Sequence, residues 1–93
     1  MNPKPGDLFI YNYRSFTKPG ELISNVMYIS EDEYLYTEGG NVYTANFFDN
    51  LDKNRLRHIR SFNIDNMTEA ERDNIVLSAQ NIDRENKINL IID

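Results

Sequence analysis

Between Leu8 and Phe48 apolar and aromatic residues come in short runs, and turn-forming residues divide them. The runs are Leu8–Tyr13, Leu22–Ser30, Tyr34–Glu38 and Val42–Phe48. The dividers are Thr17-Lys18-Pro19-Gly20, Ser30-Glu31-Asp32-Glu33 and Gly39-Gly40-Asn41. Each run is dense in β-branched and aromatic residues, the side chains that suit a pleated, half-buried surface. Strands joined by tight returns predict a meander of antiparallel hairpins.

Successive strand residues point to opposite faces. In the first run Leu8 and Ile10 share one face, and Phe9, Tyr11 and Tyr13 share the other. Such a strand is covered on both sides or carries a partly exposed aromatic face. Leu22–Ser30 is long and holds Asn25 in mid-run, which predicts a bend that turns its two halves towards different parts of the core. Pro19-Gly20 suits a type II turn, because proline sets φ and glycine accepts a positive one. Gly39-Gly40-Asn41 signals a tight hairpin.

The flanks are less regular. Pro3, Pro5 and Gly6 make a leader unsuited to sheet pairing. Residues 49–53 read as a turn with a short 3₁₀ segment. Leu56, Ile59 and Phe62 recur every third residue, yet Ser61–Ile64 looks extended, and the reading here is a fifth strand near Leu56–Ile64. Thr68-Glu69-Ala70-Glu71 is a capping box opening a helix from Glu69 to about Asn81, with Ile75, Val76, Ala79 and Ile82 as its apolar stripe. Asp83–Asn86 reads as a polar turn and Lys87–Ile92 as a final strand.

The expected architecture is α+β and one domain over residues 1–93: a β-meander over 1–64, then an acidic region over 65–93 with one C-terminal helix and a last strand. Roughly four to six short antiparallel strands with a bent second strand resemble an SH3-like small barrel, partly closed. That resemblance covers about residues 4–64 and rests on strand spacing. The architecture hosts many roles, so it does not choose among them.

Charge narrows the field. The chain carries −5 overall. Residues 1–60 hold eight acids and seven bases, whereas 61–93 hold seven acids and three bases, so the tail is the acidic part. An acidic chain argues against broad binding to phosphate backbones and favours a protein partner. There is no cysteine, which removes disulfides, thiol nucleophiles and thiolate-bound zinc, and fits a reducing cytoplasm. The N-terminal residues lack the apolar stretch of a secretory signal, and no run is long enough to span a membrane. Abundant Asn and Ile, whose codons are AT-rich, point to a low-GC genome or a phage or mobile element within one.

Candidate chemistry is sparse. His58 is the only histidine and lacks metal-ligand spacing. Nucleophile elbows and phosphate loops are absent. Neither a cofactor nor a metal is implied, and the chain reads as a non-enzyme. The tyrosines are the main feature. Tyr28, Tyr34, Tyr36 and Tyr43 lie on predicted strands, with Glu38 beside them, and are the expected contacts for a protein partner bound without covalent chemistry. Ordinary sheet packing is the competing account of these rings. Glu69, Glu71 and Asp73 suggest an acidic surface that mimics nucleic acid and blocks a nucleic-acid-processing enzyme. Helix capping and solubility explain the same acids. Lys53, Arg55, Arg57 and Arg60, flanked by phenylalanines, offer a nucleic-acid-binding stripe, or a solvated strand whose cations pair with local carboxylates. Leu77 lies off the helix stripe and suggests a homodimer contact through the C-terminal helix.

Overall fold

A computed structural model describes residues 2–14, 17 and 19–92. Five strands form one antiparallel sheet: β1 Asp7–Arg14, β2 Glu21–Ser30, β3 Glu33–Glu38, β4 Asn41–Ala45 and β5 Leu56–Ser61. Their spatial order is β4-β3-β2-β1-β5. Four strands thus form the expected meander, and the fifth returns to the outer side of β1. The class is α+β, but the sheet is not closed: β4 and β5 are its two edges. The fourth strand was expected to run to Phe48 and stops at Ala45. Phe47 adopts a left-handed φ of 63°, which turns the chain inward, and Phe48–Asn50 forms a 3₁₀ turn instead. A second such turn spans Lys53–Arg55.

The hairpin turns follow their residues. Gly39 and Gly40 both take positive φ, 58° and 81°, as a two-residue hairpin of the primed type requires. Gly20 has φ 81°, in keeping with a proline–glycine turn, while Ser15, Phe16 and Lys18 of that loop lie outside the described residues. The leader does engage the sheet, contrary to expectation. Gly6 donates to the Tyr28 carbonyl at 2.8 Å and accepts from the Phe62 amide at 3.0 Å. No larger residue fits, since a Cβ there would lie 1.9 Å from the Phe62 carbonyl oxygen.

Each face of the sheet has its own core. Leu8, Met27 and Leu35 pack with Val76 and Ala79 on the helix side. Phe9, Val26, Phe48 and Leu56 pack on the other side, bordered by Tyr11, Tyr28, Tyr34 and Tyr36. The alternation within Leu8–Tyr13 is therefore a division between two cores.

The C-terminal region holds two helices rather than one: α1 Glu69–Leu77 and α2 Ala79–Ile92. The capping box is formed, with the Glu71 amide donating to Thr68 Oγ1 at 3.2 Å and the Thr68 amide donating to Glu71 Oε1 at 3.1 Å. Ser78 separates the helices. The stripe packs onto the chain's own sheet, with Val76 and Ala79 fully buried and Ile75 and Ile82 beside them, while Leu77 stays exposed. Residues 83–86, expected as a turn, lie inside α2, and the expected strand at 87–92 is the continuation of that helix.

The reason lies on β5. Leu8 pairs with Arg60 and Phe9 with His58, so Ile59 is an extra, unpaired residue. This bulge brings Arg57, Ile59 and Arg60 all to the helix side. It accounts for the mixed period of the segment. The strand itself ends at Ser61 rather than Ile64, because the Phe62 amide leaves the ladder for Gly6. Arg57 makes a two-pronged bond to Asp83, at 2.7 and 2.8 Å. Arg60 donates to Asn86 Oδ1 at 2.6 Å, and Asn86 Nδ2 donates to the Ile59 carbonyl at 2.8 Å. The polar residues that looked like a turn are the docking face of a helix.

Hydrogen bonds from Arg57, with Lys87 nearby, hold the Asp83 carboxyl at about 2, below its ordinary 3.8. A lowered carboxyl stabilises the fold above its ordinary value and loses that contribution as pH falls towards the lowered one. Asp83→Asn should therefore cost about 1–2 kcal/mol at neutral pH, a range discounted because Arg57 is half exposed. In urea titrations that gap should shrink as pH falls from 3.8 to about 2. A gap constant with pH would rule out the ion pair as its source.

Candidate functional site

The face opposite the helices is only partly covered. Phe48, 1% exposed, plugs its middle. Its ring centroid lies 5.6 Å from Phe9, 5.1 Å from Tyr28 and 5.9 Å from Tyr34. Lys53 clips the plug in place: its ammonium donates to the Phe48 carbonyl at 2.8 Å and sits 4.4 Å from the ring centroid. Arg55 holds the following turn through Asp52, Glu21 and the Asn12 carbonyl.

Beyond the plug the face opens into a cleft of about 260 Å³ lined by Tyr11, Tyr13, Ser24, Val26, Tyr34, Tyr36, Glu38 and Leu51. Strand order explains it. Ser24 and Val26 lie on the central strand β2, whose neighbours β1 and β3 carry tyrosines at matching positions. Small residues form a floor between two aromatic walls. Tyr11 and Tyr13 stack at 5.8 Å, and Tyr34 and Tyr36 meet at 6.1 Å. Tyr11 Oη accepts from the Asp52 amide at 3.4 Å, tying one wall to the plug loop.

The cleft opens where β2 and β3 part. Their pairing runs from Ser30–Glu33 to Val26–Tyr36 and no further. At Asn25 side chains replace the ladder: the Asn25 amide donates to Thr37 Oγ1 at 2.9 Å, and Ser24 Oγ donates to the Thr37 carbonyl at 2.9 Å. Asn25 Nδ2 meanwhile donates to the Val76 carbonyl at 2.8 Å in the last turn of α1. The residue read as a bend is where the sheet divides and where the helix is anchored.

Of the expected contacts, Tyr34, Tyr36 and Glu38 come together in the cleft. Tyr43 stands just outside, its ring 5.5 Å from that of Tyr36 across the hairpin. Tyr28 packs edge-on against Phe48, away from the cleft lining. Tyr11, Tyr13, Ser24, Val26 and Leu51 were missing from the expected site. The alternation in β1 had already placed its tyrosines on an aromatic face, but nothing local says that β2 lies between β1 and β3. Burial, reinforced by Tyr36 and Tyr11, pushes the Tyr34 phenol above its ordinary value, so it stays protonated and able to donate.

The other candidates are dispersed. Lys53 and Arg55 hold the plug loop, Arg57 holds Asp83, and Arg60 holds Asn86. Glu71 completes the capping box, with Glu69 and Asp73 on the same helix, on the side of the sheet away from the cleft.

One cluster escaped sequence reading altogether. Ser61 Oγ donates to Asp7 Oδ1 at 2.6 Å, and His58 Nε2 lies 2.9 Å from Ser61 Oγ and 3.6 Å from Asp7 Oδ1. These three residue types invite comparison with a hydrolytic triad, but the geometry is different. In a triad the base takes the hydroxyl proton on one ring nitrogen while the carboxylate orients the other. Here one nitrogen faces both neighbours, and the serine proton points at the carboxylate. Asp7 also accepts from the Lys4 amide at 2.8 Å, so the cluster is a clamp between the start of β1 and the end of β5. Among the described residues no group of three or more His, Asp or Glu side chains could hold a metal ion. No described helix is long and apolar enough to cross a membrane.

Compared with known proteins, the chain matches no family model, no curated protein and no solved structure.

Two substitutions test this construction. Phe48→Ala should cost about 3–5 kcal/mol in urea unfolding, since nothing else fills that space. Thr37→Val should cost about 1–2 kcal/mol by leaving the buried Asn25 amide without an acceptor. Hydrogen exchange at Asn25 should quicken in that variant, and an unchanged rate would show that another group holds the amide.

Proposed function

We propose that this protein is a noncovalent binding module that grips a protein partner through the aromatic cleft. The observation that carries the reading is the uncovered part of the sheet: four tyrosines around a small-residue floor, with an exposed carboxylate at the rim. Tyrosine loses little conformational freedom on binding and offers both an apolar face and a hydroxyl, which is why it dominates binding hot spots. At about 260 Å³ the cleft lies just below the roughly 300–1,000 Å³ typical of small-molecule pockets, which suits a single large side chain. Tyr43 beside Tyr36 extends the aromatic surface past the cleft along the β3–β4 hairpin. An SH3-like barrel opened along one seam is the architecture we associate with this role.

The alternatives have less support. A nucleic-acid stripe needs free cations, and Lys53, Arg55, Arg57 and Arg60 each serve an internal contact. A nucleic-acid mimic needs a dense acidic array, and Glu71 is committed to its helix cap. A homodimer through the C-terminal helix would have exposed Leu77 to use, but the apolar stripe beside it already covers the chain's own sheet.

Replacing Tyr13 and Tyr36 by serine should weaken partner binding by about 1–3 kcal/mol per residue without unfolding the domain, because both are half-exposed wall residues and Phe48 is untouched. The check is affinity capture from a host lysate with wild type, Tyr13→Ser/Tyr36→Ser and a Leu77→Ser control on the opposite side. Partners held equally by all three, with circular dichroism confirming the fold, would end the proposal.

A further inference from the structure

We infer that the side chain received by the cleft is a cation, an arginine or a lysine on an exposed segment of the partner. The inference rests on reading the cleft as the partner-binding surface. It goes further by naming the chemistry of the occupant.

The lining decides the sign of the charge. Glu38 is its only charged residue, and Glu38 makes no ion pair among the described residues. Ser24 has its proton committed to the Thr37 carbonyl, so its oxygen is left as an acceptor. The tyrosine rings carry negative charge density on their faces, which attracts cations. The basic residues after Leu51 are engaged elsewhere, Lys53 with the Phe48 and Leu51 carbonyls and Arg55 with Asp52 and Glu21, and Arg14, next to Tyr13 on β1, falls on the opposite face by strand alternation. Among the described residues that line the cleft, none would offer an anion a positive partner.

Shape narrows the occupant further. Val26 and Leu51 provide apolar surface inside the cleft. Glu38 stands at the end away from the Phe48 plug, two residues along β3 from Tyr36 and four from Tyr34, the tyrosine that touches the plug. A purely apolar side chain would use the floor and leave the carboxylate unanswered. A compact ammonium ion would do the reverse. Arginine and lysine do both: the methylene stem lies over Val26 and Leu51, and the charged head reaches Glu38 and the ring faces. A net charge of −5 adds a long-range pull on any basic partner.

The test is an amide-shift NMR titration with short glycine–serine peptides that differ at one central residue: arginine, its neutral isostere citrulline, or norleucine. The arginine peptide should move the amides of Ser24, Val26, Tyr36 and Glu38 and bind about tenfold more tightly than the citrulline peptide. That gap should vanish in Glu38→Gln, whose altered side chain is on the surface and leaves the fold intact. Citrulline or norleucine binding as well as arginine would overturn the cation while leaving the cleft as a binding site. No movement at these amides with any peptide would also overturn it. The capture experiment with Tyr13→Ser/Tyr36→Ser then decides independently whether the cleft binds a partner at all.

Discussion

A sheet with apolar side chains on both faces needs two covers, and here the two are unequal. The first cover is complete. Helices α1 and α2 lie across one face and bury Leu8, Met27 and Leu35 under Val76 and Ala79. The second cover is one phenylalanine on a short loop. Phe48 reaches Phe9, Tyr28 and Tyr34 and goes no further. The cleft is what the plug does not reach. Tyrosine suits that position because its ring gains from burial while its hydroxyl tolerates water.

The cleft also depends on the parting of β2 and β3. Thr37 bridges the strands there in place of the ladder, taking the Asn25 amide on its side chain and the Ser24 hydroxyl on its carbonyl. The same Asn25 secures α1 through the Val76 carbonyl. One polar residue in a strand thus links the open face to the covered one. Its backbone amide and Nδ2 have acceptors, which offsets part of the cost of burying it, while its Oδ1 is buried with no hydrogen-bond partner among the described residues.

On the opposite edge, charge serves as structural glue. The bulge at Ile59 gathers Arg57 and Arg60 on the helix side, where Asp83 and Asn86 receive them. In this use the basic segment commits its cations to contacts within the chain. Asn86 also takes up the Ile59 carbonyl on β5, one of the two edge strands.

The local elements were legible where local physics decides them. The strands, the two-glycine hairpin, the capping box and the helix stripe depend on φ preferences, side-chain alternation and neighbours three or four residues apart. The open sheet order, the second helix, the inward turn at Phe47 and the Ser61–Asp7–His58 clamp were not legible. Each depends on a partner far away in sequence: Asp83 reads as a turn former until Arg57 meets it, and Lys87–Ile92 reads as a strand until that helix has a face to dock on. The same holds for the site. Tyr34, Tyr36 and Glu38 could be selected from one hairpin, but Tyr11, Tyr13 and the Ser24–Val26 floor join them only because β2 lies between β1 and β3. Alternation along a strand determined which residues share a face, since that follows from backbone geometry alone. Which strands stand side by side, and so where the cleft lies, was decided only when the whole sheet assembled, because long-range pairing is set by the sum of contacts and not by any one segment.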